Sequence, residues 1–349
     1  MFTCVSTADW HLMKLDNLFP DGNALERQFT EIHKPYKYAL QNGIKHVVVP
    51  GDMSNVPRLD ERYLIALTSF LISYDDHVDT HYVLGNHDFA RVGKTSMDVL
   101  KNFVDNKFFK RFHLYYTPTI KKIGGVYVTF LPYPHIELPD LDNKSVIFAH
   151  VETPGAAGDN GRLLKNGDDL QRVEGDYLVS GHLHTHQYLK SKRALYVGAP
   201  YQTNFGESPK DKGWVEINAK MSDDDLRVKY QHISGAPEFS FTTVQIDSRS
   251  QWDELSRNPN ELHRIYVADG IVVPKDLSKT QKNIISIQNL NKHKLTQSLE
   301  RDAERSASDI PKFGPTTGLL SYLKGSGLTK KQLGTAKGMV KEALQHLGL

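Results

Sequence analysis

Five short strings carry side chains suited to binding divalent cations. They are Asp9 and His11 in TADWH, Asp52 in VPGDM, Asn86 with His87 and Asp88 in LGNHD, His150 in FAHVE, and His182 and His184 in SGHLH. Neutral imidazoles with carboxylate and amide oxygens suit borderline-hard ions such as Mn, Fe or Zn better than soft Cu(I). In Asp9-x-His11 and His182-x-His184, the i, i+2 spacing aims two donors at one centre from an extended or turning backbone. Gly51, Gly85 and Gly181 precede ligand turns, where positive φ or close approach demands glycine. Each string alone has an ordinary alternative: a Gly-Asp turn, a polar loop or a satisfied core histidine. Five in series, each after an apolar run, predict a metal centre.

The apolar runs are the elements that must position these groups. Phe2 to Thr7, His46 to Val49, His81 to Leu84, Val126 to Leu131, Ser145 to Phe148, Tyr177 to Val179 and Leu195 to Val197 read as short strands. Open α/β sheets gather ligands at the ends of neighbouring strands, so separation in sequence is no obstacle to one shared site. Leu25, Phe29, Ile32, Tyr36, Ala39 and Leu40 follow helical spacing, with Gly43 placed to end the helix and Pro35 to kink it or mark its start. Gly and Pro within 232–237 mark a boundary after a first domain of residues 1–235. Strands at Phe241 to Ile246, Arg264 to Val267 and Ile284 to Ile287, with a helical stretch near Trp252 to Leu255, predict a small α/β domain over 236–295. Residues 296–318 read as a linker and 319–349 as a helix pair. In the latter, Leu333, Ala336, Val340, Ala343, Leu344 and Leu347 share one face, and Thr329 with Gln332 forms a capping box.

Composition excludes several classes. With 39% hydrophobic and 24% charged residues the chain can build a core, and its net charge of +2 makes any attraction to nucleic acid a matter of local clustering. A single cysteine, Cys4, forms no intrachain disulfide, and the N-terminus lacks a basic region followed by a long apolar one. A cytoplasmic protein outside the membrane is the expectation.

In their order, D-x-H, GD, GNHD, H and GH-x-H, the five strings resemble the calcineurin-like metallophosphoesterases. The stretches GHLHTHQ, YVGAPYQTNFGE and KGWVEI resemble the branch of the SbcD-type DNA nucleases, including their tailed-phage relatives. The likeness is strong over 1–235 and weaker over 236–290, where that branch carries a DNA-contacting capping domain. It implies an α/β fold, a β-sandwich flanked by helices (α/β/β/α), with the capping domain and a C-terminal helical segment appended.

The resemblance also implies roles. One ion would be held by Asp9, His11, Asp52 and His184, a second by Asp52, Asn86, His150 and His182, with Asp52 bridging. Manganese is the implied metal, with magnesium the alternative. His87 would face the scissile phosphate, and Asp88 would orient a neighbouring histidine. Departures occur at Asn55, where Asp or His often follows the GD turn, and at Ala149, where many members of the wider superfamily have Gly. DNA contacts are expected from Arg58, Arg62, Arg91, Lys94, Lys121, Lys122 and Arg162, with Tyr133, Tyr201 and Phe205 walling the groove or packing internally. The implied partners are DNA, an SbcC-type SMC-like ATPase docked through the C-terminal helices, and a second copy paired through Leu64, Leu67, Phe70, Leu71, Val99, Leu100 and Phe103. Two other readings are a phosphatase of the same fold on a non-DNA substrate and a metal-free scaffold. A scaffold should have lost ligands, and here each expected type is present.

Overall fold

In the computed structural model, alternation along the first strands decides the layering. Phe2 and Cys4 of β1 (Phe2–Ser6) and Val48 of β2 (His46–Pro50) enter one core, while Val5, Val47 and Val49 point to the other side and enter a second. Such strands are buried on both faces, which is why they read as continuous apolar runs. The structure describes residues 1–290 apart from 14, 16–17, 20–21, 91–94, 135–142, 160, 169, 171–174, 224 and 278–280. The expected linker and C-terminal helix pair therefore lie outside the described residues, as do Arg91 and Lys94.

β1 and β2 continue into β3 (Asp79–Val83) and β4 (Phe112–Tyr115), all parallel. On the other side of β1, the hairpin of β11 (Gly213–Ser222) and β12 (Asp225–Ser234) adds two antiparallel strands, giving a sheet of order β12-β11-β1-β2-β3-β4. A second sheet is built likewise. Its strands are β5 (Thr119–Ile123), β6 (Val126–Leu131), β7 (Ser145–Ala149), β8 (Tyr177–Ser180), β9 (Gln187–Leu189) and β10 (Ala194–Tyr196), in the order β5-β6-β7-β8-β10-β9. Four parallel central strands carry one antiparallel strand at each edge. The first core lies between the sheets, where Val126, Val128, Phe130, Val146, Phe148 and Val179 meet Phe2, Cys4, Val48 and Val83.

The second core joins the far face of the first sheet to α1 (Ala24–Gln41), α2 (Glu61–Tyr74) and α3 (Ser96–Asp105). α1 runs through Pro35 without interruption and ends at Gly43, whose φ of 67° lets Ile44 N–H reach the Ala39 carbonyl. The mixed α/β architecture is as the sequence implied, with two large sheets and few helices.

Of the side chains expected to pair two copies, Leu67, Phe70, Leu71 and Leu100 are instead buried in this helix-facing core. Helical periodicity marks an apolar face but not what covers it. Leu67→Ala is accordingly expected to cost about 2–5 kcal/mol of stability, measured by denaturant unfolding at fixed protein concentration. A change near zero would mean the side chain is not packed as described.

After β12 comes a three-stranded sheet of order β13-β14-β15, from β13 (Ser240–Ile246), β14 (Glu261–Val267) and β15 (Ile284–Asn289), with α4 (Gln251–Glu254) between the first two in sequence. Residues 1–244, 250–265 and 273–286 gather into one compact unit. Residues 245–249, 266–272 and, among the described residues, 287–290 belong to another. No helix among the described residues is long and apolar enough to cross a membrane.

Candidate metal centre

Parallel strands bring their C-terminal ends to one edge, and all five strings lie there. Asp9 and His11 follow β1, Asp52 follows β2, Asn86, His87 and Asp88 follow β3, His150 follows β7, and His182 and His184 follow β8. The first sheet thus supplies mainly oxygens and the second imidazoles. The turns are stitched together: Asp9 N–H donates to the Gly51 carbonyl at 3.2 Å and His11 N–H to the Asp52 carbonyl at 3.0 Å. Asp9, His11, Asp52 and His182 all hold positive φ, at 55°, 43°, 54° and 85°. For non-glycine residues this costs about 1–3 kcal/mol each and persists where the surroundings enforce it, often at functional sites. Gly51 and Gly85 are required by close approach, since a Cβ would lie 2.0 Å from His150 Nδ1 and 2.1 Å from Asp52 Oδ1 respectively.

The donor atoms fall into two groups around one oxygen. On one side, His11 Nε2 lies 2.9 Å from His184 Nε2 and 3.6 Å from Asp52 Oδ2, and Asp9, His11 and His184 offer donors within 4.8 Å of one another. On the other, His150 Nε2 lies 3.1 Å from Asp52 Oδ2, 2.9 Å from Asn86 Oδ1 and 3.4 Å from His182 Nδ1, which is itself 3.2 Å from Asn86 Oδ1. Nitrogens about 3 Å apart have the separation of adjacent positions on an ion bound at about 2.1 Å. Asp9 Oδ2 is buried with no hydrogen-bond partner. A bound cation would satisfy a buried carboxylate oxygen in that position. The residues present therefore fit divalent metal on both sides of Asp52.

Outer partners fix the rings. His150 Nδ1–H donates to the Pro50 carbonyl at 3.0 Å, His182 Nε2–H to Glu152 at 3.1 Å and His184 Nδ1–H to Glu207 at 3.1 Å. Each leaves the opposite nitrogen facing the centre, the usual support for a ligating histidine. Asp159 also accepts from the His184 main-chain N–H at 3.0 Å. Sequence reading missed Glu152, Asp159 and Glu207 in these parts. The available signal was position: Glu152 sits two residues beyond His150, and Glu207 closes the NFGE string.

His87 and Asp88 behave differently from one another. His87 Nδ1–H donates to the Asn55 carbonyl at 2.9 Å and its main-chain N–H to Asp52 Oδ1 at 3.0 Å, with its ring edge-on to His11 at 4.8 Å. It is the most exposed member of the His11, Asp52 and His87 group. Because Asn55 acts through its main chain, the departure in side chain there leaves this contact intact. Asp88 does not orient a histidine, contrary to expectation. Its carboxylate accepts from the main chain of Asp52 and Gly85 at 2.9 Å each and from Ser54 N and Oγ at 3.1 Å each. A buried carboxylate next to three main-chain N–H groups is captured by them, and so it holds the Asp52 turn.

Charge in this pocket is balanced by protons when no cation is bound. Burial lowers the His150 imidazolium pKa, but the charge and hydrogen bond of Asp52, then Asp9, outweigh it and raise the group to about 10. His184 likewise loses to burial and gains more from Glu207 and Asp9, reaching about 9. Both rings must be neutral to ligate. Loading at pH 7.5 is therefore expected to release about two protons and to weaken as pH falls. Calorimetric titration in two buffers of different ionisation enthalpy measures that number, and a value of zero would contradict this charge balance.

The expected DNA contacts scatter. Arg162 lines a cavity of about 580 Å³ beside the centre, with Glu152, Asp159, Lys165, Asn166 and Asn204. Arg58 lies in the loop before Asp60, the N-cap of α2, and Arg62 lies over the Tyr63 ring within that helix. Lys121 is misplaced by the sequence reading. It lies over Tyr115 and acts on Asp79 and His81, at the start of β3, whereas the centre follows that strand's end. Lys122 lies over Tyr127 on the same β5–β6 hairpin. Tyr201 is fully buried and packs internally, and Phe205 packs against Phe241.

Comparison with known proteins places this geometry. No curated protein matches the chain. Among solved structures, it is similar to one described as "GAP50 the anchor in the inner membrane complex of Plasmodium", at 10% identity and a TM-score of 0.38, over 67% of this chain and 84% of that one. The calcineurin-like phosphoesterase family matches residues 3–186, more than half of the 349 residues and all five strings from Asp9 through His184. The chain belongs to the calcineurin-like phosphoesterase family.

Proposed function

We propose that this protein is a two-metal phosphodiesterase that cuts DNA, acting as an exonuclease on duplex ends and as an endonuclease, as the nuclease subunit of an SbcD-type complex. The observation that carries the hydrolytic part is Asp52 Oδ2, which lies 3.6 Å from His11 Nε2 on one side and 3.1 Å from His150 Nε2 on the other. One oxygen between two donor groups suits a bridge, with Asp9, His11 and His184 completing one site and Asn86, His150 and His182 the other. Two divalent ions so held, manganese by preference, would supply Lewis acidity to a phosphoryl group and lower the pKa of an attacking water. The chain does the rest. His87, with Nδ1–H held by the Asn55 carbonyl, would act as the imidazolium, its Nε2–H giving a proton to the leaving oxygen as a general acid or stabilising added charge. Asp88 keeps the Asp52 turn in its strained conformation.

DNA as substrate is supported by the resemblance of GHLHTHQ, YVGAPYQTNFGE and KGWVEI to that branch, and by Arg162 and Lys165 in the cavity beside the centre. Residues 236–295 would then be the capping domain. Pairing of two copies along α2 and α3 would use the exposed Ile65, Ile72 and Val99. The test is purified protein with linear duplex DNA and Mn²⁺, Mg²⁺ or chelator, beside an aryl phosphate monoester. Metal-dependent shortening of DNA is expected. Hydrolysis of the monoester with DNA left intact would sink the nuclease reading and favour a phosphatase.

The ATPase partnership rests on the helical spacing of apolar Leu333, Ala336, Val340, Ala343, Leu344 and Leu347 in the sequence and on five lysines against one glutamate from Gly318 onwards. A chain ending at Lys312 is expected to keep metal-dependent cutting and to lose co-purification with the ATPase. Unchanged affinity for the ATPase in that shortened chain would overturn the docking role.

A further inference from the structure

Glu207 reaches no reacting position, yet its carboxylate is among the most heavily hydrogen-bonded groups near the centre. Oε1 accepts from His184 Nδ1–H at 3.1 Å, Thr203 N–H at 3.1 Å, Asn204 Nδ2 at 2.9 Å and the Thr203 hydroxyl. Oε2 accepts from Lys212 Nζ at 2.6 Å, and the same ammonium donates to the main-chain carbonyl of His184 at 3.1 Å. Both side chains of this ion pair are 1% exposed. The pair therefore grips His184 twice, by its ring and by its backbone. Its own footing is equally specific. Gln202 Nε2 donates to the Glu207 carbonyl at 2.7 Å and to the Phe241 carbonyl at 3.0 Å, while Phe241 N–H donates to Gln202 Oε1 at 2.9 Å. Glu207 is thereby tied to the first strand of the three-stranded sheet.

Stability alone is a weak reason for such an arrangement. Taking a lysine and a glutamate out of water costs about as much as their attraction returns, and an apolar pair of similar size would often serve as well. A third cation among Asp159, His184 and Glu207, whose donors lie within 4.8 Å of one another, is also a poor explanation. Lys212 already supplies the positive charge at Glu207, and the remaining Oε1 capacity is filled by Thr203 and Asn204. What the pair provides is direction, with Asp159 Oδ2 also 3.2 Å from the same Nδ1 but itself part-exposed and, among the described residues, not held by a buried ammonium. An acceptor on Nδ1 commits the imidazole to the tautomer with Nε2 bare, and Nε2 is the atom 2.9 Å from His11 Nε2.

We propose that Glu207, locked by Lys212, is the positioning residue of His184, and that it sets the affinity of the ion on the Asp9 and His11 side without affecting the ion on the Asn86 and His150 side. The inference rests on reading His184 as a metal ligand. Both are tested by titrating metal-free protein with Mn²⁺ and following free Mn²⁺ by electron paramagnetic resonance. Two bound ions in the unmodified protein are required, and a stoichiometry of zero would overturn the metal-centre reading itself. Glu207→Gln is expected to weaken one of the two ions by about 10- to 100-fold and leave the other unchanged. Since that variant strands Lys212 in the interior, Glu207→Gln with Lys212→Met removes both charges together and keeps the comparison available in a folded protein. Its unfolding midpoint in chelator should stay near that of the unmodified protein, while the same single ion is weakened. The hydrogen-bonded Nδ1–H proton of His184, identified by its loss in His184→Asn, should move upfield in the Zn²⁺-loaded double variant. If the double variant binds both ions as tightly as the unmodified protein, or loses both equally, Glu207 does not position His184.

Discussion

Asp52→Ala is expected to leave at most one tightly bound ion and to slow phosphodiester hydrolysis by about 10³-fold or more. The shared oxygen is the reason. Asp52 Oδ2 faces His11 on one side and His150 on the other, so its removal takes a ligand from both groups at once. It also leaves His150 buried without the carboxylate that does most to raise its pKa, with only Asp9 and the Pro50 carbonyl left to oppose the effect of burial. Losing one of two Lewis acids forfeits several kcal/mol of transition-state stabilisation, and about 4 kcal/mol corresponds to roughly 10³ in rate. Metal stoichiometry by elemental analysis and the rate on a phosphodiester substrate are the two measurements. Full occupancy of both ions in the variant would defeat the bridging role.

His87→Ala should separate binding from chemistry. Its ring contacts are to the Asn55 carbonyl and the edge of His11, and neither proposed ligand set includes it. Both ions should therefore bind as in the unmodified protein, while the rate falls by about 10²–10⁴-fold, the range for a lost general acid. The drop should shrink for a substrate with a good leaving group, such as a nitrophenyl diester, because less proton donation is then needed. Loss of an ion instead would make His87 a ligand, as its membership of one donor group allows.

Much of this centre was legible because its chemistry is local. Each ligand string follows an apolar run, and the runs became β1, β2, β3, β7 and β8 with bounds within a residue or two of the reading. Period alone could not reveal that four ligands sit at positive φ, since nothing in Asp9 or His182 as residue types announces a left-handed backbone. That conformation is imposed from outside, in part by the Gly51 and Asp52 carbonyls, which receive the main chain of Asp9 and His11. Asp88 was misread for a related reason. The resemblance implied a histidine partner, whereas the fold brings it three main-chain N–H groups from two different turns. The β11–β12 hairpin lies far from β1 in sequence, and its addition beside β1 is a long-range pairing that no local window shows. Leu67 and Phe70 illustrate the converse, where the apolar face was evident but the surface that covers it was not.

The two sheets meet at the centre, one giving Asp9, Asp52 and Asn86 and the other His150 and His182. His11 and His184 are 173 residues apart in the chain, and a cation shared by the two would close a loop of that size, as a disulfide would. Unlike a disulfide, this cross-link is reversible and set by concentration. At a free ion level about 100 times the dissociation constant, one such ion adds about 2.7 kcal/mol to the folded state. Metal supply would then govern how long the protein survives as well as how fast it reacts.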